Sequence, residues 1–123
     1  MDINLVFNLD NLHIPICNII FFSNSLHIDN THDLLHIEKL NIKRIQEIKE
    51  HTTTDVYLCG GGQFAGWLLD HGQIDILKLK VNPIILGGGI PLFGNSNTNA
   101  RMNLVKNITY DNGLQITTYE LIK

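Results

Sequence analysis

A short apolar run, three consecutive glycines and a helical pattern follow one another in the middle of the chain, and this order constrains the fold most. Val56–Cys59 is typical of a buried strand, and Gln63–His71 carries apolar residues at helical spacing. A strand that turns through glycines into a helix directs free backbone N–H groups and the positive end of a helix dipole toward one point. We therefore predict an anion-binding site at Gly60–Gly62, with a plain tight turn as the alternative.

The composition is that of a soluble globular protein and disfavours several classes of function. Apolar residues make up 44% and charged residues 17% of the 123 residues, which suits one domain with its own core. A net charge of −3 with scattered basic residues provides no electrostatic footprint for nucleic acid. Because no apolar run is long enough to span a bilayer and the start has no basic leader, we expect a cytoplasmic protein without a membrane partner.

The cysteines and histidines are weak candidates for chemistry. Cys17 and Cys59 lie in apolar surroundings, so we expect two buried thiols and no disulfide. His27, His32 and His36 would need a helical segment and a third ligand to bind a metal. Their segment is instead typical of a loop that enters a short strand. We predict solvated histidines and no metal site.

Hydrophobic periodicity predicts alternating strands and helices before the glycine stretch. The predicted elements are strands at Ile3–Phe7, Ile16–Phe22 and Leu34–Ile37 and a helix from an Asn41 cap to about His51. Ile42, Ile45 and Ile48 form the buried face of that helix. The strand at Ile16–Phe22 ends in Ser23–Ser25, which either meets a ligand at the sheet edge or forms a turn.

After the glycine helix the chain is typical of strands and turns. His71-Gly72 ends the helix, and Asp75–Val81 alternates apolar and lysine residues like a strand. Two prolines make the following segment a loop or edge, in which we interpret Gly87–Gly89 mainly as close backbone packing. Leu104–Tyr110 and Leu114–Leu121 flank an Asn-Gly turn, which is the strongest short-range signal for an antiparallel hairpin.

Two familiar phosphate-binding motifs fit the glycine stretch poorly. A Walker P-loop needs Lys and Ser or Thr after its last glycine, but Gln63 and Phe64 stand there. Gly60, Gly62 and Ala65 satisfy the Rossmann pattern Gly-x-Gly-x-x-Ala. However, no acidic residue ends the next strand, and the chain closes with a hairpin. This context argues against a doubly wound domain.

Two sequence blocks carry a more specific resemblance. They are Asp55-Val-Tyr-Leu-Cys-Gly-Gly-Gly-Gln-Phe-Ala and Leu79-Lys-Val-Asn-Pro-Ile-Ile-Leu-Gly-Gly-Gly-Ile-Pro-Leu-Phe93. Their order and spacing over about 40 residues resembles the dihydrofolate-reductase-like family, in the branch of the C-terminal reductase domain of bifunctional riboflavin-biosynthesis (deaminase–reductase) proteins. The strand before Ser23–Ser25 and the terminal hairpin fall where this family has them, so the resemblance extends from about residue 16 to the end.

The resemblance implies an α/β fold of three layers, with a mixed sheet flanked by helices. It also implies an NADPH-dependent oxidoreductase that passes hydride to a C=N or C=O group of a pteridine-like or ribosylaminopyrimidine-like small molecule. Matching positions place the cofactor diphosphate at Gly60, Gly61, Gly62, Gln63 and Phe64. They place the adenosine ribose and its extra phosphate near Ser23, Asn24 and Ser25. The family often has a basic residue beside these serines. Asn24 offers only neutral hydrogen bonds, so NADH is an alternative cofactor.

The chain is shorter than members of this family, which usually begin with roughly sixty to ninety further residues. In the family that part supplies the helix lining the substrate pocket and two strands, one on each side of Val56–Cys59. Ile3–Phe7 can fill one of these gaps and not both. We therefore expect residues 1–123 to form a single, N-terminally truncated nucleotide-binding domain, completed as a homodimer or strand-exchanged oligomer. The alternative to a reductase is a non-catalytic remnant that binds a nucleotide or dimerises. No residue is assigned a catalytic role.

Overall fold

The computed structural model describes residues 3–9, 16–27, 29 and 33–123, and these form seven strands and two helices. In chain order they are β1 (Ile3–Leu9), β2 (Ile16–Phe22), β3 (Leu35–Glu38), α1 (Ile42–His51), β4 (Val56–Leu58), α2 (Gly62–Asp70), β5 (Ile76–Val81), β6 (Arg101–Thr109) and β7 (Gln115–Ile122). The strands form two sheets, with the orders β3-β2-β1-β4 and β5-β7-β6. Neither helix in the described ranges is long and apolar enough to cross a membrane.

The first sheet places three strand ends at one edge. β1 pairs antiparallel with β2 and with β4, while β2 and β3 are parallel. β2, β3 and β4 therefore run in the same direction, and their C-terminal ends share one edge of the sheet. β1 fills one of the two gaps beside β4, which confirms the prediction for the first strand. The other edge of β4 has no partner among the described strands.

The two helices pack on this sheet through the apolar faces that the sequence predicts. Asn41 caps α1, because its Oδ1 accepts a hydrogen bond from the Lys43 N–H at 2.9 Å. Among the described residues, six buried side chains form one core cluster: Ile20, Phe22, Ile45, Ile48, Phe64 and Leu68. The rings of Phe22 and Phe64 are fully buried, with their centroids 5.9 Å apart. This pair connects β2 directly to α2.

The second sheet contains the predicted C-terminal hairpin. β6 and β7 pair antiparallel, and the Tyr110 N–H donates to the Leu114 carbonyl across the turn at 2.9 Å. Gly113 closes the turn with a φ of 83°, a conformation that disfavours any residue with a Cβ. β5 pairs antiparallel with β7 and has no partner on its other edge among the described strands.

Two expectations about burial are wrong. The strand at residues 56–58 is buried on one face only, since Val56 and Leu58 pack against the core while Tyr57 is 63% exposed, and Cys59 is an exposed free thiol. The reason is that β4 lies at the edge of its sheet, and Cys59 comes just after the strand's end. His27 and His36 are exposed, as predicted. His32 and the side chain of Cys17 lie outside the described residues.

Candidate functional site

The turn between β4 and α2 presents unpaired backbone donors. α2 begins at Gly62, and its N-cap, Gly61, provides no side-chain hydrogen bond. The N–H groups of Phe64 and Ala65 donate to the Gly61 carbonyl, both at 3.2 Å. Within the described ranges, no group accepts a hydrogen bond from the N–H of Gly62 or Gln63. These donors and the helix dipole together suit an anion.

Gly61 borders open space at the start of α2. A Cβ built on Gly61 meets no atom within 4 Å, and its φ of −74° is accessible to every residue type. Neither packing nor backbone conformation therefore requires glycine at this position. A side chain there would instead fill the space in front of the first turn of α2. The predicted diphosphate site fits this geometry.

Gly62 and Gly66 have a different role, which the sequence analysis missed. A Cβ on Gly62 would overlap the Pro91 carbonyl oxygen and lie 3.0 Å from the Gly94 nitrogen. A Cβ on Gly66 would overlap the Phe93 oxygen and lie 3.1 Å from the Phe93 carbonyl carbon. The spacing of four residues places both glycines on one face of α2. This face is covered by the backbone of the following loop.

We call residues 91–98 the strap, because this segment follows α2 from its first turn to its last residue. At the far end, the hydroxyls of Ser96 and Thr98 donate to Asp70 Oδ1 at 2.5 and 2.6 Å. These two hydrogen bonds, the one from Ser96 foremost, hold the pKa of Asp70 below its usual range. Asp70 thus serves to fasten the strap to the helix.

The expectation that the second glycine triplet serves close backbone packing is wrong. A Cβ on Gly87, Gly88 or Gly89 would meet no atom within 4 Å. The apolar residues on either side are also outside the core, with Ile85 97% and Ile90 91% exposed. The triplet therefore lies in an exposed loop.

Ser23–Ser25 lie at the same sheet edge as the glycine turn. β2 and β4 are separated only by β1, so their ends are about 10 Å apart, which is two strand spacings. Ser23 is buried, and its Oγ accepts from the N–H groups of Ser25 at 3.2 Å and Leu26 at 2.9 Å. Ser23 therefore forms the turn, while the side chains of Asn24 and Ser25 are exposed.

A basic residue stands beside these serines, although the sequence analysis missed it. The Ser23 N–H donates to the Glu38 carbonyl at 3.0 Å, so the parallel pairing of β2 and β3 places Lys39 next to Ser23. The Glu38 carboxylate binds Arg44 in a fork, with N–O distances of 2.6 and 2.9 Å. Lys39 is exposed, and no described residue pairs with it. Only the strand register reveals this proximity.

The remaining site candidates lie apart from the glycine turn or inside the core. The Phe64 ring is buried and its N–H is bonded, so the free donors of the turn come from its neighbours. Partial burial raises the pKa of Asp75, but hydrogen bonds from Lys123 and Lys49 outweigh it and the pKa is lowered.

Solved structures share this architecture. A candidate riboflavin biosynthesis protein from Shewanella sp. PV-4 is similar with a TM-score of 0.69 and 26% identity, over 83% of this chain and 59% of that one. A pyrimidine reductase-like protein from Corynebacterium diphtheriae is similar with a TM-score of 0.52 and 26% identity, over 72% of this chain and 38% of that one. The dihydrofolate-reductase-like fold predicted from the sequence is confirmed.

Sequence comparisons assign the family. The uncharacterized protein YyaP of Bacillus subtilis is 24% identical over 78 residues, which are 63% of this chain and 42% of YyaP. The chain thus spans less than two thirds of the length of YyaP and of both solved neighbours. Residues 17–116 match the family described as the RibD C-terminal domain. The chain therefore belongs to the RibD C-terminal domain family.

Proposed function

We propose that the chain binds NADPH and forms the cofactor-binding half of a reductase. The observation that carries this proposal is the first turn of α2, where the free N–H groups of Gly62 and Gln63 adjoin the open space at Gly61. A dinucleotide diphosphate matches such donors in charge and in hydrogen bonding. Asn24 and Ser25, at the same sheet edge, are placed to hydrogen-bond the adenosine ribose.

We infer the type of reaction from the family and not from catalytic residues of this chain. A bound nicotinamide supplies hydride to the carbon of a C=N or C=O group, and the pyrimidine reductase-like neighbour favours a ribosylaminopyrimidine-like or pteridine-like substrate. The residues of this chain bind and orient the dinucleotide. The exposed thiol of Cys59 favours a reducing compartment, and we place the protein in the cytoplasm.

Lys39 makes NADPH the better candidate than NADH. The 2′-phosphate distinguishes the two dinucleotides, and recognising it requires a cation near the adenosine ribose. Arg44 is not available to bind the 2′-phosphate, because its guanidinium is paired with the Glu38 carboxylate. The hydrogen bond with Glu38 also raises the pKa of Arg44. Lys39 is exposed beside the turn of Ser23 and supplies the charge that Asn24 lacks.

The proposal is tested by adding a side chain where the structure has room for one. We expect Gly61→Val to weaken NADPH binding by about tenfold or more, since its methyl groups occupy the phosphate position. The fold is expected to tolerate the change because no atom lies within 4 Å of the new Cβ. Gly88→Val, which has the same open surroundings, is the matched control. Equal NADPH affinity in both variants would contradict the proposal.

A second candidate function is a nucleotide-binding module without turnover. It is the alternative to a reductase that the sequence analysis leaves open, and no described residue has been assigned the role of proton donor that a reductase of this kind needs. The two candidates differ in one measurement. The module binds NADPH and never oxidises it. The cofactor-binding half of a reductase oxidises NADPH once the half that binds the substrate is present.

A further inference from the structure

The register of the second sheet brings cationic side chains from two strands to one face. Side chains of residues that pair across antiparallel strands point to the same side of a sheet. Lys78 of β5 and Lys106 of β6 both pair with Thr118 of β7, so the two lysines lie on the same face. Lys80, two residues after Lys78 on β5, also lies there, because side chains alternate between the two faces along a strand.

Arg101 is the fourth cation on this face. It pairs with Ile122, which is four residues after Thr118 on β7 and therefore points the same way. The only acidic strand residue on this face is Glu120, two residues after Thr118. The face thus carries a net charge of +3, although the whole chain carries −3. We call this side of the second sheet the basic face, and its four cations are Lys78, Lys80, Arg101 and Lys106.

The basic face is open to solvent, and its cations have no partners. All four cations are exposed, whereas Leu77 and Leu79, on the other side of the same sheet, are half-buried. No described residue forms an ion pair with any of the four. The Cα atoms of Lys78 and Lys80 are about 7 Å apart along β5, and those of Lys78 and Lys106 are about 10 Å apart across β7. Charges of one sign at this spacing repel one another, and an anionic partner relieves that repulsion.

Apolar side chains lie between the cations and indicate the kind of partner. Ile76 is 59%, Ile122 49% and Ile108 37% exposed, and all three belong to the basic face. A partner that brought only negative charge would leave these isoleucines in water. Nucleic-acid bases stack on aromatic side chains, but Tyr119, the only aromatic residue of these three strands, pairs with Leu77 and lies on the other face. The mixture of lysine and isoleucine instead suits a protein surface with both carboxylates and apolar side chains.

A second copy of this chain fits the basic face poorly. In a twofold dimer the same face of both subunits meets, and here that would bring like charges together. We propose that the basic face binds an acidic segment of a different protein. The carboxylates of that segment pair with the lysines of β5 and β6, and its apolar side chains cover the exposed isoleucines. The proposal does not depend on which cofactor the protein binds, because none of these residues belongs to the glycine turn or to residues 23–25.

The size of the basic face sets the expected strength of binding. Three strands of 6, 9 and 8 residues cover an area of about 15 Å by 25 Å. This is about half of the ~800 Å² that each partner of a stable complex buries. We therefore expect a weak, transient complex. Its affinity falls with rising salt, because exposed charges are screened.

A short acidic peptide tests the proposal. The probe is a fluorescein-labelled peptide of alternating Glu and Val residues, and fluorescence anisotropy at low salt gives its Kd. Lys78→Gln and Lys106→Gln are each expected to weaken binding about two- to fivefold. The matched control is Lys43→Gln, because Lys43 is an exposed lysine on α1, outside the basic face. We expect the control to bind the peptide as tightly as the wild type.

NMR of the wild-type protein provides a second readout that needs no variant. We expect the peptide to shift amide resonances of β5, β6 and β7 and to leave those of α1 unchanged. A single-stranded oligothymidine and vesicles that contain phosphatidylserine are titrated in the same way. We expect both to bind more weakly than the peptide, because neither combines carboxylates with apolar side chains.

Several results would overturn the proposal. Equal weakening in Lys43→Gln, resonance shifts outside the second sheet, or no binding by the folded wild type would show that the basic face does not select an acidic protein segment. Tighter binding of the oligothymidine or of the vesicles through the same lysines would identify a nucleic acid or a membrane surface as the partner. Shifts of β5–β7 resonances on dilution, without peptide, would identify a second copy of this chain.

Discussion

Replacing Gly66 with alanine sets two physical effects against each other in the middle of α2. Alanine is favoured over glycine inside a helix by about 1 kcal/mol, so propensity alone predicts stabilisation. The new Cβ, however, would overlap the Phe93 carbonyl oxygen and lie 3.1 Å from the Ser96 Cβ. The strap cannot move aside freely, because Ser96 and Thr98 fasten it to Asp70.

The steric cost is expected to exceed the gain in propensity. Overpacking typically costs about 1–3 kcal/mol, and we expect about 2–3 kcal/mol here because the displaced group is backbone rather than a flexible side chain. We therefore expect Gly66→Ala to lower the free energy of unfolding by about 1–2 kcal/mol, which corresponds to about 5–10 °C in Tm. Urea and thermal denaturation followed by circular dichroism measure both quantities.

Gly61→Ala is the matched control for this prediction. It adds the same methyl group five residues earlier, where no atom lies within 4 Å. Its effect is expected to stay below about 1 kcal/mol, the size of a change in N-cap preference. A rise in Tm for Gly66→Ala would refute the packing of the strap against α2. Equal losses in the two variants would also refute it.

Two further predictions concern charge. Lys39→Gln is expected to weaken NADPH binding by about tenfold and leave NADH binding unchanged. Equal weakening of both dinucleotides, or the same effect in Lys43→Gln, would contradict the role of Lys39. The lowered pKa of Asp75 means that its contacts with Lys49 and Lys123 stabilise the fold above about pH 4 and that this contribution is lost as pH falls through the folded-state pKa. Since Asp75 is 48% exposed, Asp75→Asn is expected to cost at most about 1 kcal/mol at pH 7. The difference in free energy of unfolding between Asp75→Asn and the wild type should disappear in acid. Denaturation curves that give the same difference at every pH would contradict this account.

Local patterns predicted much of the fold because their causes are local. Asn41 caps α1 by accepting a hydrogen bond from the N–H of Lys43, two residues later. The Asn-Gly turn closes the hairpin through the positive φ of Gly113. The helical spacing of Ile45 and Ile48 likewise identified the buried face of α1. The family resemblance added the prediction that β1 fills a gap beside β4, which the pairing of β1 on both of its edges confirms.

The parts that were missed depend on contacts between distant segments. The two glycine triplets have the same composition, yet Gly62 packs against Pro91 whereas Gly88 has no neighbour within 4 Å. Lys39 is far from Ser23 in sequence and comes beside it only through the register of two parallel strands. The packing role of each glycine and the register of the strands depend on tertiary contacts. No local sequence pattern therefore distinguishes these cases.

The central claim is that the first turn of α2 holds a nicotinamide dinucleotide, and the most direct test is titration of the protein with NADPH. Trp67, the only tryptophan, stacks on Phe64 one turn into α2, so its fluorescence reports on the site. A ligand at about 100 times its Kd adds about 2.7 kcal/mol to the stability of the folded protein, or roughly 8–15 °C in Tm. We predict saturable changes in fluorescence and Tm with the same Kd, and tighter binding of NADPH than of NADH. A folded protein whose fluorescence and Tm do not respond to NADPH would contradict the account.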